Sequence, residues 1–403
     1  MFSVPNPRQY ICTKYAWEQR KLGDLGSVAM NKRVFKEQTS ENGEVPFFKI
    51  GTFGSEPDSF ISRELFEEYK LKYPYPEIGD ILISASGSIG RTVVYQGKDE
   101  YFQDSNIVWL KHNNHLDNKF LKQFYSIVKW QGLEGSTIKR LYNKNILDTN
   151  ISIPSPEEQQ KIGQYFKKLD ETITLHQRKL DKLKQLKQGY LQLLFPQSDE
   201  KVPRIRFANF DENWNLCNIK KLAKVFIGLV TSMTENYREE GTLLIRNSDI
   251  KSGKFEFADN PIYLDEQFAE KNNTRRLSLG DVITVHTGDI GTSAVIGAKE
   301  SGAIGFATIN TRPNENMLDS NYLSIYFNTT NHKNWATKMS TGDGRSNYNL
   351  YDFNRVMIPL PNLIEQKLIG AFLKKFNNII NLEQSKLNEL KSLKEALLQK
   401  MFI

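Results

Sequence analysis

The sequence has little cysteine and no long apolar run, and each shortage excludes a class of protein. Its two cysteines, Cys12 and Cys217, are too few and too far apart for a disulfide scaffold or a zinc site, which favours a reducing compartment. No apolar stretch reaches the ~18 residues that a membrane helix needs. Residues 1–16 also lack the apolar block of a signal peptide. The sequence therefore predicts a soluble, cytoplasmic protein.

Positive charge is in modest excess over the 403 residues. Lys and Arg number 54 against 47 Asp and Glu, which gives a formal net charge of +7. Such an excess favours polyanions, nucleic acid among them, as binding partners. Charged residues make up 25% of the chain and aromatic residues 11%, which excludes a wholly disordered protein. The length predicts two or more domains, because domains cluster near ~100–150 residues.

The chain contains an internal repeat whose period is about half its length. Residues 153–195 align with residues 358–402, so that Glu158 matches Glu365 and Gly163 matches Gly370. A weaker repeat lies upstream, where GDIL (79–82) matches GDVI (280–283) and GSIG (87–90) matches GDIG (288–291). The repeat predicts a duplicated architecture, in which each half is a variable module followed by a similar segment.

The two similar segments carry apolar residues at alternating spacings of four and three, which is typical of a coiled coil. The apolar positions on which this reading depends are Ile162, Phe166, Leu169, Ile173, Leu180 and Leu183, and Ile369, Leu373, Phe376, Ile380, Leu387 and Leu390. Polar residues recur at matching positions, His176 with Glu383 and Lys187 with Lys394, and would fix the register. Each helix is expected to extend about 57 Å at ~1.5 Å per residue.

The arrangement favoured by these patterns is an intramolecular, antiparallel pair of helices. Residues 196–357 must return the chain from the end of the first helix to the start of the second, which would place the two modules at opposite ends of a rod. Pairing with helices of other subunits is the alternative. Short β-branched runs after Gly-Asp turns, together with helical spacing at 116–130 and 318–335, predict α+β modules. The polar residues 197–204 form the expected hinge.

No convincing active site is visible in the sequence. The two glycine turns could cradle phosphate, but they lack the Lys-Ser/Thr of a P-loop and fit a tight turn as well. DNPIY (259–263) differs from the Asn-Pro-Pro-Tyr tetrad of amino-methyltransferases at Ile262, and no glycine-rich cofactor loop precedes it. Asp58 with Glu68 fits only the loose spacing of a Mg²⁺ nuclease. The five histidines show no metal-ligand spacing, so we predict neither catalytic nor metal-binding residues.

Basic and amide residues cluster instead just before each long helix. Arg reads guanine and Asn reads adenine, while Ser, Thr and Lys hold phosphates. The candidate DNA-binding residues are Lys49, Ser88, Arg91, Thr137, Lys139, Arg140, Asn143 and Lys144 in the first half, and Arg246, Asn247, Arg275, Arg276, Asp289, Arg345, Ser346, Asn347 and Asn349 in the second. For each of them the alternative is a solvated loop residue.

This layout resembles the specificity subunit of type I restriction–modification enzymes. The resemblance rests on IPSP (153–156), Glu158-Gln159 and Ile162-Gly163, on their counterparts 358–361, Glu365-Gln366 and Ile369-Gly370, and on both Gly-Asp turns. It covers essentially the whole chain, and the combination is specific although each motif alone is weak. One departure is the N-terminus, since VPRIRF (202–207) is a usual lead-in, whereas residues 1–16 hold a distorted trace of it.

The resemblance implies a function and a set of partners. Residues 1–152 and 197–357 would be target-recognition domains that each read half of a bipartite site in double-stranded DNA. Residues 153–196 and 358–403 would be helical spacers that also dock two methylation subunits. The chain would be non-catalytic and would direct adenine methylation and DNA cleavage. Restriction subunits would join the complex, and S-adenosylmethionine, ATP and Mg²⁺ would belong to the partners. A coiled-coil scaffold without DNA readout, and a catalytic methyltransferase or nuclease, are the alternatives.

Overall fold

The computed structural model describes residues 17–112, 115–133, 139–197, 200–231, 233–258, 260–340 and 347–402. These residues form two compact units. Unit 1 consists of the chain up to His176 together with the residues from Leu387 onward, and unit 2 consists of Gln177–Lys386. Among the described residues, no helix combines the length and the apolar character needed to cross a membrane.

The first module is a mixed fold of short strands and helices. Its elements are β1 (Glu18–Lys21), α1 (Leu22–Leu25), β2 (Gly26–Ala29), β3 (Val45–Phe48), β4 (Phe60–Ile61), α2 (Arg63–Lys72), β5 (Ile81–Ser84), β6 (Thr92–Val94), β7 (Tyr101–Phe102), β8 (Ile107–His112), α3 (Asn118–Ile127), α4 (Asn143–Leu147) and β9 (Asn150–Ile153), followed by the long helix α5 (Pro156–Leu193). The strands form three sheets with the orders β2-β8-β5-β6, β4-β3-β7 and β1-β9.

The second module has the same kind of fold with additions. Its elements are β10 (Asn215–Asn218), α6 (Ile219–Leu222), β11 (Ala223–Ile227), β12 (Tyr237–Arg238), β13 (Thr242–Arg246), β14 (Ile250–Lys251), β15 (Lys254–Phe255), β16 (Tyr263–Leu264), α7 (Glu266–Lys271), β17 (Val282–Val285), β18 (Ser293–Val295), β19 (Ile304–Phe306), β20 (Thr308–Pro313), α8 (Ser320–Phe327), α9 (Thr330–Met339), α10 (Leu350–Phe353) and β21 (Met357–Leu360), followed by the long helix α11 (Leu363–Phe402). Its sheets have the orders β11-β20-β17-β18, β12-β16-β13-β19, β10-β21 and β14-β15.

The strand orders confirm the duplication that the sequence predicts. The order β2-β8-β5-β6 in the first module becomes β11-β20-β17-β18 in the second when strands are matched along the chain. In both modules the first strand pairs antiparallel with the last, and one parallel pair, β3 with β7 or β13 with β19, lies in the second sheet. The second module adds β12, the hairpin β14–β15 and α9. Topology is therefore shared even where the two sequences have little in common.

The Gly-Asp turns begin the central strands β5 and β17, as predicted. Gly79 and Gly280 adopt φ values of +97° and +86°, which L side chains rarely adopt. The aspartate of each turn then accepts a backbone hydrogen bond from the residue three positions earlier, at 2.8 Å in both modules. All four residues of each strand are buried, which fits the short, largely apolar runs that follow the turns.

The two long helices run antiparallel within each unit. In unit 1, Lys394 pairs with Asp170 at 2.7 Å, and Leu398 of α11 packs in one core with Phe166 of α5. In unit 2, Lys179 pairs with Glu383 at 2.8 Å, and the rings of Tyr190 and Phe372 meet edge to face at 5.1 Å. In both units, residues later in α5 contact residues earlier in α11. The fold is thus the predicted duplicated α+β architecture with an antiparallel intramolecular coiled coil.

The apolar positions of the heptads line this contact. Half of them are buried, with at most 8% of their surface exposed: Ile162, Phe166, Leu180, Ile369, Leu373 and Leu387. The other half are partly buried: Leu169, Ile173, Leu183, Phe376, Ile380 and Leu390. Since none of the twelve is exposed, the four-and-three spacing identifies the inner faces of α5 and α11.

A buried glutamine fastens each long helix to its module. The Gln159 amide donates to the carbonyls of His115 and Pro154, at 3.1 and 3.0 Å, and accepts from the backbone N–H of Asp117 at 2.9 Å. Gln366 repeats the pattern in unit 2 with Met317, Pro361 and Asp319. Both side chains are 1% exposed. The glutamine of the Glu-Gln motif therefore has a structural role, because its one side-chain amide makes hydrogen bonds with three backbone groups.

The glycine of the same motif lets the module helix approach the long helix. A Cβ added at Gly163 would lie 2.7–2.9 Å from Lys119, Asp117 and the backbone nitrogen of Phe120, all at the start of α3. A Cβ at Gly370 would likewise lie 2.9 Å from Asp319 at the start of α8. Close packing of a helix N-terminus against a long helix therefore requires glycine at these two positions.

We expect Gly163→Ala to destabilise unit 1 by ~1–3 kcal/mol, because overpacking outweighs the better helix propensity of alanine. Gly189 is the matched control: it also lies within α5, and a Cβ there has nothing within 4 Å. Gly189→Ala should therefore stabilise the protein, by ~0.5–1 kcal/mol. Denaturant unfolding measures both, and the same sign for the two substitutions would contradict the packing argument.

Candidate nucleic-acid interface

The two glycine turns follow the buried strands β5 and β17 and have the same internal bonding. Gly90 donates to the carbonyl of Ser84 at 2.9 Å, and Gly291 donates to that of Val285 at 3.1 Å. These glycines have φ values of +83° and +80°, so the turns need residues without a Cβ. Within each turn the second position, Ser88 or Asp289, points a largely exposed side chain outward. The geometry matches the tight-turn alternative.

Each turn pairs with the polar segment that precedes the long helix, of which the structure describes residues 139–147 in the first module and 347–353 in the second. Leu141 donates its N–H to the carbonyl of Ala85 at 2.8 Å, and Tyr348 donates to His286 at 2.9 Å. Isolated β-bridges join Ser86 to Arg140 in the first module and Thr287 to Asn347 in the second. Two groups of candidate residues that lie more than 40 residues apart in sequence thus form one surface in each module.

Five candidates in the first module lie on this surface with exposed side chains, Ser88 of the turn among them. Lys139, Asn143 and Lys144 are exposed in the polar segment, the last two at the start of α4. Arg91 is exposed beside the turn, and its guanidinium donates to the carbonyl of Gly54 at 3.3 Å. Their charges and amide are accessible to a phosphate or a base edge.

Arg140 is bound within the module. Its Nη2 atom donates to the carbonyl and hydroxyl of Ser105, at 3.2 and 3.1 Å, and to the Asn106 side chain at 3.1 Å. Asn106 also accepts a hydrogen bond of 2.8 Å from the Ser86 hydroxyl. Arg140 therefore holds the turn, the polar segment and the residues before β8 together, and only its remaining donors could reach DNA.

Three candidate arginines of the second module that the structure describes, Arg246, Arg275 and Arg276, are also bound internally. Arg246 forms a two-point ion pair with Asp249, at 3.2 and 3.0 Å, and this hydrogen bonding raises the pKa of its guanidinium. Arg275 donates to the carbonyls of Ile227 and Gly228, both at 2.7 Å. Arg276 donates to Thr242 and Gly302 and pairs with Glu266. A DNA contact by any of them stays a prediction and would have to use other donors.

The amide and acidic candidates of the second module have local partners as well. Asn247 accepts from the N–H of His286 at 3.1 Å and donates to the carbonyl of Ala307 at 3.0 Å. Asn347 accepts from the Thr287 hydroxyl at 2.7 Å, and Asn349 caps α10 by accepting from the backbone N–H of Asp352 at 2.9 Å. Asp289 pairs with Lys333 at 3.1 Å. In the first module, Lys49 pairs with Asp58 at 2.9 Å. Thr137, Arg345 and Ser346 lie outside the described residues.

Two exposed tyrosines on these segments were not among the predicted residues. Tyr142 is 47% exposed beside Lys139 and Asn143, and Tyr351 is 74% exposed in α10. An aromatic side chain offers a stacking face and an apolar contact for a base. An aromatic residue within a polar, amide-rich stretch is the sequence signal that could have identified them.

The residues considered for catalysis are engaged in other contacts. Asp58 pairs with Lys49, as above, and Glu68 pairs with Lys72 at 3.0 Å, one helical turn away. His332 is buried against Phe327, and burial lowers its pKa to about 4. Asp259 lies outside the described residues. Among the residues that the structure describes, no group of three or more His, Cys, Asp or Glu could hold a metal ion.

Comparison with known proteins identifies the family. The profile of the "Type I restriction modification DNA specificity domain" matches residues 15–185 and again residues 214–392. A putative type I restriction enzyme specificity subunit from Haemophilus influenzae is 56% identical over 155 residues, which are 38% of this chain and 40% of that protein. The putative MjaX specificity subunit from Methanocaldococcus jannaschii is 23% identical over 402 residues, 95% of this chain and 92% of that one.

Solved structures share the fold. The superposition with the crystal structure of the type I restriction–modification S subunit from M. genitalium covers 98% of this chain and 98% of that one, with a TM-score of 0.62 at 14% sequence identity. A chain from a study of assembly and conformational transition of the type I system covers 95% of this chain and 97% of its own length, with a TM-score of 0.55 at 16% identity. Since the family profile matches both halves, each with its module and most of its long helix, the chain belongs to the type I restriction–modification DNA specificity family and is a specificity subunit.

Proposed function

We propose that this chain is a non-catalytic subunit that binds a bipartite double-stranded DNA target, one half through each module. The observation that carries the proposal is the repeated surface in which a glycine turn pairs with the polar segment before each long helix. Two surfaces built on the same strand order favour two short defined blocks of bases, separated by a gap that is not read. Family membership supports DNA as the ligand.

The chemistry in this proposal belongs to partner subunits. Two methylation subunits would transfer methyl groups to adenine, and restriction subunits would cleave the DNA. S-adenosylmethionine, ATP and Mg²⁺ would be bound by those partners. We place the complex in the cytoplasm, where a restriction system meets its DNA.

Exposed leucines on the long helices support the docking of two equal partners. Leu175 and Leu382, at matching positions of the duplicated sequence, are 65% and 71% exposed. Leu186 and Leu393, a second matching pair, are 53% and 47% exposed. A single exposed leucine is ordinary on a protein surface, so the support comes from the recurrence of both leucines at matching positions of the two helices. Because each helix carries the same pair, the surface fits two copies of one partner better than two unrelated ones.

The deciding experiment exchanges one module. Residues 17–152 are replaced by the first module of another family member, and methylated adenines are mapped genome-wide in cells that carry the partner subunits. We expect one block of the recognised site to change and the other to stay as it was, since the second module is untouched. A change in both blocks would refute independent reading by the two modules.

A second prediction concerns the exposed lysines. Binding of duplex DNA by the isolated chain should be weak and steeply salt-dependent, and it should tighten when methylation subunits join. Lys139→Gln and Lys144→Gln should each weaken binding to all sequences alike and reduce the salt slope by about one. Lys161→Gln, on an exposed face of α5, is the control and should change neither.

The DNA titrations, together with a cofactor-binding assay, separate the alternatives. A coiled-coil scaffold that never reads DNA predicts no sequence preference at ~0.15 M salt, whether or not the methylation subunits are present. A catalytic methyltransferase predicts that the isolated chain binds S-adenosylmethionine. Saturable binding of that cofactor by the chain alone would therefore count against a non-catalytic subunit.

A further inference from the structure

Unit 2 contains a cavity of about 600 Å³ whose lining is strongly basic. It is bounded by α5, α11, the hairpin β14–β15 and the start of α9. Four lysines line it: Lys184, Lys187, Lys254 and Lys333. Uncharged amides and hydroxyls make up most of the remaining lining, and no aspartate or glutamate is among the described residues that form it. A cavity with this composition favours an anion.

The four lysines are only partly neutralised. Lys254 pairs with Glu256 at 2.5 Å and Lys333 with Asp289 at 3.1 Å, and both carboxylates are at least half exposed. Exposed ion pairs of this kind are weak. Within the described part of the chain, Lys184 and Lys187 have no ion pair. Burial, and then the charge of Lys254, lower the pKa of Lys187, as expected for a half-buried ammonium group beside another cation.

The duplicated sequence provides an internal comparison for Lys187. Its counterpart in unit 1 is Lys394, which pairs with Asp170 at 2.7 Å, and Asp170 also pairs with Lys122 at 3.4 Å. The counterpart of Asp170 in unit 2 is Asn377, an amide that lines the cavity. The repeated lysine is thus neutralised by a carboxylate in unit 1, whereas in unit 2 the lysine and the matching amide line the same cavity.

A second amide replacement reinforces the difference. Gln188 lines the cavity in unit 2, whereas the matching residue of unit 1 is Glu395. Two positions that carry acids in one half therefore carry hydrogen-bond donors without charge in the other. The difference removes two negative charges while keeping side chains of similar size, and the resulting lining favours an anion.

Elements added to the second module form part of the wall of the cavity. At the tip of the hairpin, a Cβ on Gly253 would lie 3.2 Å from the Asn377 amide nitrogen, so the hairpin abuts the long helix. Gln188 donates to the Thr330 hydroxyl at 3.4 Å, which joins α5 to the first turn of α9. The ten-residue helix α9 thereby turns its N-terminal, partially positive end toward the lysines. Neither the hairpin nor α9 has a counterpart among the described residues of the first module.

We propose that this cavity binds a phosphate-bearing anion that presents two or three linked phosphate groups. Four lysines and several amide donors suit several oxygens better than a single carboxylate, and 600 Å³ lies within the range of small-ligand sites. The phosphates could belong to a small polyphosphate ligand or to the backbone of bound DNA. The site is independent of which bases the modules read.

The test is a calorimetric titration of the full chain with inorganic tripolyphosphate at low salt. Lys184→Gln with Lys187→Gln should raise the Kd at least about tenfold, since two charge-assisted contacts are lost. The matched control is Lys391→Gln with Lys394→Gln, the same change of charge at the corresponding positions of unit 1, and it should leave the Kd within about twofold. Equal weakening by both double variants, or no binding by the unaltered chain, would overturn the proposal.

A variant that adds an acid keeps the test independent of misfolding. Asn377→Asp restores the carboxylate found at Asp170 and should pair with Lys187, so it should weaken tripolyphosphate binding while the melting temperature stays level or rises. An unchanged Kd for this variant would also overturn the site. Duplex DNA then identifies the source of the phosphate: tripolyphosphate that competes with DNA assigns the site to the DNA backbone, and simultaneous binding assigns it to a small ligand.

Discussion

Arg206→Met is expected to destabilise unit 2 by about 3–5 kcal/mol, because it leaves a buried carboxylate without its partner. Arg206 donates to both oxygens of Glu365, at 2.7 and 2.9 Å, and the Glu365 side chain is 0% exposed. This hydrogen bonding raises the pKa of the arginine, which is 14% exposed itself. The pair ties the lead-in of the second module to the first turn of α11.

A neighbouring arginine provides the control. Arg204 pairs with Glu200 at 2.8 Å, but its side chain is 62% exposed, so Arg204→Met should change the unfolding free energy by less than ~1 kcal/mol. Replacing Arg206 and Glu365 together by methionine should recover most of the loss, since no buried charge then remains. Denaturant unfolding, with hydrogen exchange to locate the loosened segment, measures all three. Equal effects of the two single variants would contradict the assignment of a buried pair.

The long helices could be predicted from the sequence because their signal is periodic and local. Each apolar position of the four-and-three pattern needs only a facing helix, and every residue on which the pattern rested proves buried or half-buried. The antiparallel direction followed from chain connectivity, and the pairs Asp170–Lys394 and Lys179–Glu383 confirm it within units 1 and 2. The Gly-Asp turns could be predicted for the same reason, because a tight turn with a glycine at positive φ followed by an aspartate acceptor depends only on residues next to each other in sequence.

The roles of individual arginines could not be predicted from the sequence. Arg140, Arg275 and Arg276 have the chemistry of base readers, yet each donates to carbonyls that lie many residues away in sequence, such as Ile227 for Arg275. A guanidinium satisfies a distant carbonyl as readily as a base edge, and only the fold decides which one it meets. Sequence patterns therefore predicted which segments the fold brings together in each module better than they predicted which side chains on those segments stay accessible, and DNA contact by that surface stays a prediction.

The repeated Glu-Gln and Ile-Gly motif in the first turns of each long helix shows the opposite case. Its residues served as the signature of the family, and the alignment of two copies made them visible without explaining them. Gln366 and Gly370 are fixed by contacts with Met317 and Asp319, more than 40 residues upstream. Such requirements depend on tertiary packing, so the motif could be found from the sequence and its physical cause could not.

Gln366→Glu should therefore be among the most damaging isosteric changes in unit 2, with a loss of about 3 kcal/mol or more at pH 8. The amide nitrogen of Gln366 donates to the carbonyls of Met317 and Pro361, at 3.1 and 2.9 Å. A carboxylate at that point would place negative oxygen against two carbonyl oxygens at a site that is 1% exposed. Burial and these carbonyls should raise the pKa of the introduced group well above its usual range.

The raised pKa fixes the sign of the pH dependence. Above the folded-state pKa the introduced carboxyl is charged and destabilises unit 2, and as the pH falls through that value it takes up a proton that it can donate to one carbonyl. The deficit relative to the unaltered chain should thus shrink between about pH 8 and about pH 5.

Gln366→Leu is the control, because it removes the same hydrogen bonds without an ionisable group and should show a deficit that does not vary with pH. Gln159→Glu should repeat the behaviour in unit 1, where the same three bonds recur with His115, Pro154 and Asp117. Unfolding free energies measured at several pH values decide the matter. A deficit for Gln366→Glu that stays constant with pH would mean that the side chain leaves its buried site, and the amide would then not be what holds the long helix to its module.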